Sequence, residues 1–138
     1  MRLGATKSEP RSQATNYRSV ARALVETARA IDALGEATYG NGLAIIAIHT
    51  AIAYTDALTI AHRELKSTDG DHVRAADVLV FALGARAEAS HVKRLRRVLA
   101  AKSKAAYSGN YYTLDEGRDL LWHVEKYAAW AEEMLGTP

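Results

Sequence analysis

The chain has 138 residues, 49% hydrophobic and 25% charged, with a formal net charge of +2. That size suits one domain, and the apolar share excludes disorder over the whole length. The absence of cysteine excludes thiol catalysis, disulfide scaffolds and cysteine-ligated zinc. Alanine is the commonest residue, and two prolines and one phenylalanine complete a composition that favours helix over sheet.

Residues 1–15 are polar, contain no apolar core of a secretory signal, and read as a flexible lead-in. A single domain is expected over residues 16–136. Its first helix starts at Asn16, a good N-cap residue, carries Val20, Leu24, Ala28, Ile31 and Leu34 at helical spacing, and stops at Gly35. Tyr39-Gly40-Asn41-Gly42 reads as a turn. The second helix, about 43–65, is apolar on more than one face, as expected of the most buried member of a bundle. It also holds His49, Asp56 and several threonines, which points to a core helix and not a membrane span.

Ser67-Thr68-Asp69-Gly70-Asp71 is a turn, with Asp71 able to cap a short third helix over 73–83. Gly84 bends the chain into a fourth helix, about 85–106, with Val92, Leu95, Val98 and Leu99 inward. The fifth helix opens on Thr113-Leu114-Asp115-Glu116, a capping box, and buries Leu120, Leu121, Val124, Tyr127, Ala131 and Met134. No strand alternation is visible. The expected fold is all-α, an up-and-down antiparallel bundle of about five helices.

The charge is concentrated where Lys93, Arg94, Arg96, Arg97, Lys102 and Lys104 follow one another. Such a strip fits either a solvated helix face or a phosphate-binding surface. Trp122 and Trp130 lie off the main apolar stripe of the last helix, which fits a dimer interface. Glu88-Ala89-Ser90-His91 has the spacing of a metal pair in helical bundles, but a second such pair is missing and no metal is expected.

Three stretches carry a resemblance to the HEPN domain family, covering roughly residues 16–135. They are the apolar second helix with Tyr54, the run Gly70-Asp71-His72-Val73, and Lys102-Ser103-Lys104-Ala105-Ala106-Tyr107 ahead of a capped last helix. Many members carry Arg-Asn-x-Ala-Asp-Tyr at the third place; here the leading basic residue, the alanine and the tyrosine match, and the asparagine and aspartate do not. HEPN proteins are helical bundles, often paired with minimal nucleotidyltransferases. Their ribonucleases use an Arg, four to six residues, then a His on a helix, the histidine moving a proton and the arginine gripping a phosphate.

No histidine follows Lys102 within that reach, but Arg118–His123 and Arg86–His91 have the spacing elsewhere. A tyrosine near the family motif can receive nucleotide from the partner enzyme, and Tyr107 stands at the matching position. The resemblance, the basic cluster and the missing histidine together lead to the expectation of a non-catalytic partner in a toxin–antitoxin or defence-type system, cytoplasmic because no secretory signal is read and homodimeric through the tryptophan-bearing helix. Such a chain would need no cofactor and would bind RNA, nucleotide or a nucleotidyltransferase-like protein through Arg94, Arg97, Lys102, Lys104 and Tyr107. The competing expectations are a metal-independent endoribonuclease using Arg118 and His123, or Arg86 and His91, and a purely structural dimeric subunit.

Overall fold

The structure, a computed structural model, describes residues 2–106 and 108–136. Five helices carry the fold: α1 (Ala14–Leu34), α2 (Gly40–Arg63), α3 (Arg74–Leu83), α4 (Ala89–Ala106) and α5 (Leu114–Leu135). The architecture is an all-α bundle around α2. That helix packs most extensively against α1 and α5 and also meets α3 and α4. Small side chains make this possible, because Ala44, Ala47, Ala51 and Ala57 are wholly buried and let neighbours approach closely. α2 is long and apolar enough to cross a bilayer by composition, yet most of it lies inside the bundle, as a core helix does.

Two glycines set the closest crossing. A Cβ on Gly40 would stand 2.1 Å from the Tyr112 carbonyl oxygen and 2.5 Å from the Thr113 carbonyl carbon, and one on Gly117 would stand 2.8 Å from the Gly40 carbonyl oxygen. The start of α2 therefore lies directly on the entry to α5. Asn41 clamps the same loop: its Nδ2 donates to the carbonyls of Ala105 and Asn110, and its Oδ1 accepts from the Tyr112 amide at 2.8 Å. The capping box forms as expected, with the Glu116 amide donating to Thr113 Oγ1 at 3.1 Å and the Thr113 amide to Glu116 Oε1 at 3.0 Å.

The N-terminal segment differs from the expectation of a flexible lead-in. Thr6–Ser8 forms a strand, β1, antiparallel to β2 (Leu65–Ser67), with Lys7 opposite Lys66. Glu64 makes this possible. It ends α2 in the left-handed region at φ 52 and turns the chain so that its carbonyl accepts from the Glu9 amide. Three-residue strands are too short to show a period of two, so this ribbon has no readable sequence signal.

Several boundaries also shift. α1 is preceded by a 3₁₀ turn, and Asn16 is inside it, donating to Gln13 Oε1 and capping nothing. The buried stripe of α1 is Ala21, Val25 and Ala28, whereas Val20 and Leu34 are exposed. Gly40 begins α2 where a turn was expected, and α4 starts at Ala89 after a 3₁₀ turn at Gly84–Arg86. Across the bundle, Glu132 of α5 accepts hydrogen bonds from Arg18 and Arg22 of α1 and from the Tyr54 hydroxyl of α2, tying three helices at one carboxylate.

Candidate functional site

α4 and α5 lie side by side, and their facing edges build the most unusual surface of the molecule. Ser90, Lys93, Arg94 and Arg97 recur at three- and four-residue spacing on α4, which places them on one edge. Trp122, His123 and Lys126 occupy the matching edge of α5. A shallow recess of about 350 Å³ is lined by Ser90, Lys93, Arg94, Arg97, Trp122 and His123.

Trp122 is 52% exposed, a costly position for an indole with no cover. Two cations approach its ring: the Arg94 guanidinium carbon and the Lys126 ammonium, each 5.3 Å from the ring centre. Both are within cation–π range. Arg94 also donates through Nη1 to His123 Nδ1 at 2.8 Å. A guanidinium only donates, so His123 accepts at Nδ1 and carries its ring proton on Nε2, toward Asp119 at 4.0 Å. Burial first, then the charges of Arg97 and Arg94, hold the His123 imidazole below its ordinary pKa, with Asp119 opposing. Arg97 faces Asp119 at 3.4 Å, both side chains more than half exposed.

The residues singled out in the sequence do not all meet. Arg118 and His123 make no pair within the chain: Arg118 donates to Asp32 on α1, while His123 takes Arg94. Arg86 and His91 separate likewise. Arg86 donates to His62 Nδ1 at 3.0 Å, whereas His91 stacks on Trp130 with ring centres 4.9 Å apart. On α5 a spacing of five turns Arg118 and His123 well apart, while Arg86 lies in the 3₁₀ turn ahead of α4 and not on the helix of His91; each of the four finds a partner on another element.

The expected four-residue basic site also divides. Arg94 and Arg97 share the recess, but Lys102 turns to the other side of α4, is only 9% exposed, and donates to His72 Nε2 at 2.7 Å. Lys104 is exposed further along. Tyr107 lies outside the described residues. Trp130, grouped with Trp122 from the sequence, is instead a core residue at 4% exposure, packed against Tyr127 and His91. Among the described residues no three metal-ligating side chains cluster, and Glu88 meets His91 only at 3.7 Å.

Sequence reasoning missed Lys126 and the Arg94–Trp122–His123 assembly. The spacing of Trp122 and Lys126 at four was available as a signal; the contact of α4 with α5 was not. No family model, curated protein or solved structure matches this chain.

Proposed function

We propose that this chain is a HEPN-like helical-bundle protein that works as a non-catalytic binding partner in the cytoplasm and takes single-stranded RNA or nucleotide on the α4–α5 face. The observation that carries the reading is the half-exposed Trp122 ring with Arg94 and Lys126 both within cation–π range of it. An indole face stacks on any base, and adjacent cations neutralise the phosphates that accompany it. Lys93 and Arg97 extend the positive edge along α4. The order of helices and the capped last helix support the HEPN-like reading. A nucleotidyltransferase-like partner remains part of the proposal as the family resemblance implies it, and a homodimer as the exposed Trp122 of the last helix suggests it. Titration of a short single-stranded RNA against wild type and Trp122→Ala tests it: binding weakened in the variant supports the site, and equal binding rejects it.

A second reading has its own observation. Arg94 and His123 form a through-space arginine–histidine pair of the type that cleaves phosphodiesters, although not the pair the sequence spacing indicated. In this arrangement His123 is neutral with its basic Nδ1 taken up by Arg94, so neither the general acid nor the general base is assigned. That gap favours binding over cleavage. A metal-independent nuclease assay separates the two, since cleavage lost in His123→Ala would establish the enzyme.

A further inference from the structure

His123 makes a hydrogen bond that only one of its protonation states permits. Arg94 Nη1 lies 2.8 Å from its Nδ1. A guanidinium has hydrogens to give and no lone pair to receive one, so Nδ1 must carry the lone pair. The contact exists while the imidazole is neutral and is lost when a proton arrives at Nδ1. Its setting makes that loss matter. The His123 side chain is only 15% exposed, forms part of the wall of the recess, and stands edge-on to Trp122 with ring centres 5.0 Å apart. Arg94 is anchored by the same contact. Among the described residues His123 is the one acceptor its guanidinium reaches, and its Nε is buried with no hydrogen-bond partner.

We propose that His123 is the proton switch of the RNA-binding face: a backbone phosphate entering the recess parts Arg94 from His123 and is taken up together with one proton on Nδ1. The inference rests on the RNA-binding reading of this face and adds its regulation. In the neutral state one Arg94 hydrogen is committed to the histidine, and the histidine has no donor at Nδ1. With the proton in place, Nδ1–H becomes a donor and the Arg94 Nη1 hydrogen is released. Two charge-assisted hydrogen bonds to the phosphate then replace one internal bond. The recess also gains a full positive charge beside the anion, in a partly dry setting where the attraction exceeds its value in water. The proton comes from solvent, and no covalent bond changes.

The charges that act on His123 come from α4 and from its own helix. Burial is the first cause that keeps the ring neutral; Arg97 of α4 adds to it, Asp119 of α5 opposes it, and Arg94 adds a further share. Lys93 lines the same recess, and Lys126 approaches the Trp122 ring. A phosphodiester brings a negative charge into this positive field and favours the imidazolium. The free protein then holds His123 neutral near neutral pH, and the complex holds it protonated. Binding takes up a proton over the interval between the two states. Affinity therefore rises as pH falls through that interval and levels off once the free protein is protonated as well. Histidine is the side chain suited to such a change near neutrality; the lysines and arginines around it stay charged throughout.

The test is the affinity of an oligouridylate without terminal phosphates at pH 5.5 and pH 7.5, at constant ionic strength, for wild type, His123→Gln and His91→Gln. Uracil and internal phosphodiesters do not titrate in that range, so a change belongs to the protein. Wild type should bind severalfold more tightly at pH 5.5. Glutamine accepts from Arg94 as neutral histidine does but cannot take a charge, so the ratio in His123→Gln should fall below about twofold. His91→Gln, altered outside the recess, should keep the wild-type ratio. NMR of the wild-type protein follows the proton itself and carries the test if His123→Gln fails to keep its helical circular dichroism. The His123 ring signal, assigned by its proximity to Trp122, should titrate with a midpoint higher by about 0.5 pH or more when oligouridylate saturates the protein. Equal affinity at both pH values, a ratio kept in folded His123→Gln or lost in His91→Gln, or a His123 midpoint that stays or falls would overturn the switch and leave the RNA-binding reading in place. No binding of the oligonucleotide at either pH would overturn both.

Discussion

Arg94 lies beside Trp122 with its guanidinium carbon 5.3 Å from the ring centre, and the same guanidinium is fixed by its hydrogen bond to His123. The indole is thus held next to a cation whose position does not depend on solvent. Removing the ring should weaken single-stranded RNA binding by about 1–3 kcal/mol, roughly 5- to 150-fold. Fluorescence anisotropy of a labelled oligonucleotide against Trp122→Ala checks this, with Trp122→Phe expected to retain part of the affinity.

Arg118 serves as the contrast. It is committed to Asp32 and faces α1, not the recess. Arg118→Ala should leave RNA affinity within about twofold of wild type, because no phosphate reaches it in this reading. A loss comparable to that of Arg94→Ala in the same anisotropy assay would place the binding surface elsewhere.

How much of this was legible in the chain depends on how local each signal is. The capping box at Thr113 and Glu116 involves residues three apart, so spelling alone located it, and it formed. The all-α fold followed from periodicity of the same short range. The Arg94–His123 contact spans 29 residues and the Lys102–His72 contact 30, and each depends on how one helix turns against another element. Arg-x4-His spacing could not supply this, because two residues five apart on a helix diverge. Trp130 was misplaced for a related reason. An apolar side chain off the main stripe is buried when a third element covers it, here α4 through His91.

Gly40 should not tolerate a side chain. Its Cβ would meet backbone atoms of Tyr112 and Thr113, which cannot swing aside as a side chain does. Gly40→Ala should cost about 1–3 kcal/mol or more in urea denaturation. Gly42→Ala, two residues on and facing open space, should be neutral or stabilising by about 0.5 kcal/mol, from helix propensity alone.

Two carboxylates predict opposite pH dependences. Hydrogen bonds from Arg22, and then from Tyr54 and Arg18, hold Glu132 at about 2 despite partial burial. Its contribution to stability is complete above the ordinary carboxylate range and is lost as pH falls through that range toward 2. Glu132→Gln should therefore be less stable at pH 7 and show a flatter acid limb. Burial pushes Asp56 up to about 6 against the pull of Lys66. The folded state then holds a proton that the unfolded chain releases, so stability declines as pH rises from about 4 to 6. Asp56→Asn should be more stable by about 1–3 kcal/mol at pH 7.5, with the gain vanishing near pH 4. Thermal melts across pH for the three proteins check both signs.

The most direct test of the RNA-binding face is tryptophan fluorescence during titration with single-stranded RNA, at several salt concentrations. The chain has two tryptophans, one exposed and one buried. Stacking on the exposed ring should quench emission in wild type and in Trp130→Phe but not in Trp122→Phe. The logarithm of the affinity should fall linearly with that of salt, and Arg94→Ala should shallow the slope by about 0.7. Quenching that persists in Trp122→Phe, or an affinity indifferent to salt, would contradict the account.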